Sequence, residues 1–157
     1  PVLLPRVTRM IATSGSIDTP PALASMAGLE AFCRQVYAPY GWLSDAQWRH
    51  LTETSTRRLP DGRVTPHYDP AMVQQFERQP DDYRIWEHYD ALRIPVLCLR
   101  GAESDLVLPA TTAEMQRRGP GARGLLQVVE VPGCGHAPAL NVPAQLELVT
   151  RFLESAG

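Results

Sequence analysis

Two short segments hold residue types that could do acid–base chemistry together. Leu99-Arg100-Gly101-Ala102-Glu103-Ser104-Asp105 carries two carboxylates, and Glu130-Val131-Pro132-Gly133-Cys134-Gly135-His136-Ala137-Pro138 carries a histidine. A carboxylate bonded to one imidazole nitrogen fixes the tautomer and stabilises the imidazolium. The other nitrogen can then take a proton from a nucleophile. Asp105 is the candidate acid, with Glu103 in the same turn as the alternative, and His136 is the candidate base. Gly133 and Gly135 let their segment turn sharply and present the ring. The plainer readings are a loop histidine bonded to backbone and a turn-forming aspartate. Cys134 reads as a small loop residue rather than a nucleophile, since only His136 lies nearby to lower its pKa. Cys33 and Cys98 read as buried apolar fillers.

Each segment follows an apolar run. Ile94–Leu99 and Leu125–Val131 are expected strands. Between them Pro109 opens a helix through Met115, closed by Gly119-Pro120. Asn141 and Pro143 open a last helix with Leu146, Val149, Phe152 and Leu153 on its apolar side. The order strand–helix–strand–helix implies an α/β sheet of two parallel strands joined by a right-handed crossover. Functional residues of such sheets collect beyond the carboxyl ends of the strands. Asp105 and His136 both stand there, and adjacent strand ends would bring them within reach of each other. The unbroken Val96–Leu99 run suits a strand buried on both faces. Two strands cannot cover themselves so; extended parts of the first half could supply the neighbours, but further strands outside this sequence are the favoured expectation.

Residues 1–92 look helical and irregular. Residues 1–23 are expected to be mostly loop, with a short helix around Val7–Ala12. Ser25 precedes a helix with Leu29, Phe32, Cys33 and Val36 on one side, ended by Pro39 and Gly41. Ser44 and Gln47 form a capping-box pattern for a second helix, with Trp48, Leu51 and Thr52 facing inward. Leu59-Pro60-Asp61-Gly62 signals a turn. Asp69-Pro70 starts a third helix with Met72, Val73 and Phe76, and Asp82 a fourth through Ile85, Trp86 and Tyr89 to Leu92. No β-rich run comparable to the later ones occurs in this part.

Composition excludes several classes. Hydrophobic residues make up 44%, charged residues 20%, and the net charge is −2, which fits a soluble globular chain and not a disordered one. No basic excess exists to neutralise phosphates, so no nucleic-acid partner is expected. No apolar run reaches membrane-span length, and no basic start followed by an apolar core marks a signal peptide, so neither a membrane span nor a leader is expected. Three widely spaced cysteines without a CxxC motif point to free thiols in a reducing, cytoplasmic setting. Neither His50, His67 and His88 nor Cys134, Asp105 and His136 has recognised metal-ligand spacing, so neither metal nor cofactor is expected. Arg57-Arg58 and Arg117-Arg118 read as solvated faces. The chain begins with Pro1 rather than Met, and a processed or truncated start is expected.

The stretch from Trp86 to Leu153 resembles the carboxyl-terminal part of an α/β-hydrolase. The matching residues are Trp86…Tyr89-Asp90-Ala91-Leu92, Pro95-Val96-Leu97…Arg100-Gly101…Ser104-Asp105, and Pro132-Gly133-Cys134-Gly135-His136-Ala137-Pro138. That family runs in the order nucleophile, acid, histidine, and the resemblance implies that Asp105 is the triad acid and His136 the general base. Residues 1–85 resemble the helical cap of some members, and 86–157 the carboxyl-terminal lobe. No Gly-x-Ser-x-Gly elbow occurs. Its nearest imitation, Ala24-Ser25-Met26-Ala27-Gly28, places Ser25 better as a helix cap. The resemblance therefore implies a portion lacking the nucleophile-bearing half, which alone should do little chemistry. The complete protein would hydrolyse an ester, lactone, epoxide or similar small apolar substrate through a covalent ester. Trp42, Trp48 and Trp86, with Tyr37 and Tyr40, are candidates to line a substrate pocket between cap and sheet, against plain core packing. An alternative is a non-catalytic remnant, or a subunit that docks with a partner chain completing the sheet by strand addition. A weaker one is a complete small hydrolase using Ser104 or Ser14.

Overall fold

The computed structural model describes residues 20–69, 71, 74 and 78–156. The expected helix at Val7–Ala12, Ser14, and Met72, Val73 and Phe76 of the expected third helix lie outside the described residues. The chain divides into two compact units, with the residues up to Ala38 and Leu43–Tyr83 in the first, and Pro39–Trp42 and the residues from Arg84 onward in the second.

In the first unit, α1 (Met26–Val36) starts where Ser25 holds an extended backbone and its hydroxyl accepts the Gly28 N–H at 3.2 Å. That satisfies a donor the helix start would otherwise leave unpaired. Leu29 and Cys33, one turn apart, are fully buried with Val64, and Leu23, Met26, Phe32 and Tyr37 pack around them. A second helix, α2 (Asp45–Thr54), opens on a complete capping box. Ser44 Oγ accepts the Gln47 N–H at 3.3 Å, and Gln47 Oε1 accepts the Ser44 N–H at 2.9 Å. Trp48 and Thr52 are buried and Leu51 is half-buried, on the expected inward side. The turn at Leu59–Gly62 joins two strands that the sequence did not announce. These strands, β1 (Thr56–Arg58) and β2 (Val64–Pro66), pair antiparallel, and Leu23 adds a bridge to Val64. Three-residue strands reading Thr-Arg-Arg and Val-Thr-Pro are too short and polar to show alternation.

The second unit follows the predicted order. Its first helix, α3 (Trp86–Ala91), is shorter than the expected 82–92, because a separate 3₁₀ turn occupies Pro80–Tyr83. Strand β3 (Val96–Gly101) leads through α4 (Pro109–Arg117) and a single helical turn, α5 (Gly119–Ala122), to β4 (Leu126–Val131). The chain then runs to α6 (Pro143–Ala156). Gly119-Pro120 thus begins a further turn after an extended Arg118 instead of only ending α4. The crossover is clamped to α3. Arg118 Nε donates to Asp90 Oδ1 at 2.8 Å, its guanidinium lies 4.7 Å from the Trp86 ring centroid, and the Tyr89 hydroxyl donates to Met115 O at 2.9 Å.

Strands β3 and β4 are parallel neighbours, in register from Val96↔Leu126 to Gly101↔Val131. They form a sheet of two, separate from the β1–β2 ribbon. Val96, Leu97, Cys98 and Leu99 are half-buried, not covered on both faces as their composition suggested. Within these residues β3 has one hydrogen-bonded neighbour, so its other edge meets no strand. Among the described residues no helix is long and apolar enough to cross a membrane.

Candidate active site

The two chemistry-bearing loops leave the same end of the β3–β4 pair. Past the last register pair the ladder continues into both. Ala102 N–H donates to Val131 O at 2.8 Å, and Glu103 N–H to Cys134 O at 3.0 Å. The approach is closer than a side chain allows. A Cβ built on Gly101 would lie 1.8 Å from Gly135 O and 2.5 Å from Cys134 O. Only a glycine at the end of β3 lets the histidine loop fold against it.

The acid loop is built of short-range bonds. Ser104 N–H donates to Gly101 O at 3.0 Å, and Ser104 Oγ accepts the Val107 N–H at 3.0 Å. Ser104 is 6% exposed. Its hydroxyl fixes the turn. Arg100, 5% exposed, fills the inside of the same loop. Its Nε donates to Val107 O at 2.7 Å, its Nη2 to Ala102 O at 3.3 Å, and its Nη1 to the Glu130 carboxylate. Asp105 and Glu103 are exposed on this loop, and His136 is half-buried on the other. Neither Asp105 nor His136 makes a side-chain hydrogen bond or ion pair among the described residues. Catalytic bonds of this kind often tighten only with substrate bound.

The histidine loop is held from its other side by a segment the sequence assigned to the first part of the chain. Gly135 N–H donates to Pro39 O at 2.6 Å and Ala139 N–H to Tyr40 O at 3.3 Å. Asn141 Nδ2 donates to Trp42 O at 2.7 Å. Gly41, at φ +95°, runs where a Cβ would come within 3.1 Å of Cys134 Cβ. Pro39 and Gly41 were legible as helix breakers; their docking on a loop almost a hundred residues later leaves no local signal.

Cys134 is 1% exposed and its thiol donates to Val131 O at 3.4 Å. Burial, reinforced by the nearby Glu103 charge, pushes that thiol up from its ordinary value, so it is not an activated nucleophile. Burial likewise pushes up Cys33 and Cys98.

The three tryptophans have different immediate surroundings. Trp48 is buried in the first unit beneath the Arg34 guanidinium, 5.6 Å from its ring centroid. Trp86 lies edge-on to Tyr89 and under Arg118. Trp42 is 69% exposed on the segment bound to the histidine loop. Among the described residues no group of three His, Cys, Asp or Glu side chains could hold a metal ion.

No family model matches the sequence. The crystal structure of an α/β hydrolase from Novosphingobium aromaticivorans superposes with a TM-score of 0.71 at 26% identity, covering 94% of this chain and 52% of that one. The chain carries part of an α/β-hydrolase fold. Among curated proteins, the 3-hydroxybutyrate-oligomer hydrolase of Cupriavidus necator is 33% identical over 135 residues, 80% of this chain and 45% of that protein. An esterase of Mycobacterium tuberculosis is 32% identical over 102 residues, 64% of this chain and 32% of that protein. The chain spans less than half the length of the curated relatives it matches.

Proposed function

We propose that the chain is the acid- and histidine-bearing part of an ester hydrolase. The observation that carries this reading is the backbone seam between the two loops. Glu103 N–H on Cys134 O, and Gly101 packed against Gly135 O, hold a carboxylate loop and a histidine loop together at parallel strand ends. Such ends are where α/β sheets keep their functional groups. The hydroxybutyrate-oligomer hydrolase and esterase activities of the two curated relatives support a carboxylic ester as the substrate class, with oligomers of a short hydroxy acid as the first candidate.

In the complete protein a nucleophilic hydroxyl from outside this sequence attacks the ester carbonyl while His136 takes its proton. The acyl–oxygen bond then breaks, His136 returns the proton to the leaving alcohol, and water repeats the exchange to release the acid. Asp105 bonds the other imidazole nitrogen and stabilises the imidazolium. The test is turnover of p-nitrophenyl esters and of a 3-hydroxybutyrate dimer by the complete gene product. His136→Ala should reduce kcat by roughly three or more orders of magnitude with the fold retained. Unchanged turnover overturns the reading.

One observation favours a second reading, in which a separate chain completes the sheet. The Val96–Leu99 run of β3 is half-exposed, and among the described residues its outer edge meets no strand. Co-purification of this chain with a distinct polypeptide that restores esterase activity would support it.

A further inference from the structure

The acid loop contains a charge that the reaction does not use. Arg100 stands in an otherwise apolar strand, beside its register partner Glu130 on β4. A guanidinium that is 5% exposed is rare unless fully paired. Here the pairing is directional. Two of its bonds land on backbone carbonyls on either side of Asp105, those of Ala102 and Val107. The third reaches Glu130, one residue before the strand runs into the histidine loop. One planar fork therefore clasps both ends of the acid loop and ties them to the strand that delivers His136. Lysine, a point charge with a single nitrogen, cannot span these acceptors.

We propose that Arg100, with Glu130 as its counter-charge, is a positioning residue that sets where Asp105 meets His136. The proposal rests on the hydrolase reading above. It touches no substrate and acts only through the acid loop. Its signature is therefore an effect on kcat that depends on Asp105.

The test is a double-mutant cycle on the complete gene product, with kcat and KM measured for a p-nitrophenyl ester. Arg100→Lys and Arg100→Met should each lower kcat, by about 10- to 100-fold for Met and less for Lys, with KM within about twofold. In an Asp105→Ala background the same substitutions should change kcat by less than about twofold, since partners in one unit are not additive. Glu130→Gln, an exposed change that leaves the buried guanidinium its two carbonyl bonds, should show a smaller loss with the same dependence. If Arg100→Met does not fold, the Lys and Gln variants complete the cycle. Equal losses in both backgrounds make Arg100 a purely structural residue and overturn the proposal, as does no loss in either. If His136→Ala abolishes turnover while Asp105→Ala spares it, the acid is elsewhere; the proposal falls and the hydrolase reading stands. If His136→Ala spares turnover, the hydrolase reading itself has failed.

Discussion

At the scale of single residues the question is which carboxylate serves His136. Two candidates share one loop, and they are not equivalent. Glu103 lies at the seam itself, with its N–H on Cys134 O, and its charge is felt by the Cys134 thiol. Asp105 lies midway between the two carbonyls that Arg100 holds. A triad acid works by holding one tautomer, so its amide should lower kcat by on the order of 10³–10⁴ while leaving binding intact. Asp105→Asn is expected to do this and Glu103→Gln to stay within about tenfold; kcat for a p-nitrophenyl ester across pH 5–9 decides between them. Cys134 supplies a second check at this scale. A buried thiol with a raised pKa reacts slowly. Native protein at pH 7.5 should resist iodoacetamide at Cys134 and become labelled on unfolding, as read by peptide mass spectrometry.

At the scale of elements, what was legible followed from local rules. Ser25 and Ser44 read as caps because a side-chain oxygen before an apolar helical period has one good use. Both accept the expected N–H. Ser44→Ala should cost about 1 kcal/mol, and Gln47→Ala in the Ser44→Ala background less than it costs alone, measured by urea unfolding. The parallel strands read from apolar runs and Pro-Gly punctuation. What was not legible lacked a local signal. The β1–β2 ribbon joins strands too short and polar to show alternation, and the docking of Pro39–Trp42 on the histidine loop and the Arg100–Glu130 pair join residues distant in sequence. A charged residue ending an apolar strand was the one available hint that Arg100 needed a partner. The α3 clamp shows the same long-range logic and carries a pH dependence. The Arg118 bond holds the Asp90 carboxyl below its usual value. A lowered folded-state pKa adds stability above the unfolded value, near 4, and that stability is lost as pH falls through the folded value. Asp90→Asn should therefore destabilise the fold at pH 7, and its deficit relative to the parent should shrink progressively as pH falls below about 4, followed by urea unfolding across that range.

At the scale of the whole molecule the unbalanced feature is apolar surface. Ile94 is 60% exposed, and Leu146 and Leu153 on α6 are 50% and 64% exposed. Val96–Leu99 are only half covered. A stable fold does not ordinarily leave an apolar parallel strand and an amphipathic helix this open. The hydrolase structures that superpose on nearly all of this chain are about twice its length. In the complete protein the sheet should continue beyond the outer edge of β3, with α6 lying against it. That geometry makes one pair of measurements decisive. For these residues alone, Leu146→Ala and Leu153→Ala remove side chains that are already half in water, and each should cost less than about 1 kcal/mol. In the complete protein the same truncations should each cost about 2–4 kcal/mol, the range for large-to-small changes in a packed core. The difference between the two contexts, not either value alone, reports the covering of α6. Urea unfolding of both forms with both variants gives it directly. Equal costs in the two contexts would mean that α6 stays open in the complete protein and that the sheet is closed by some other surface.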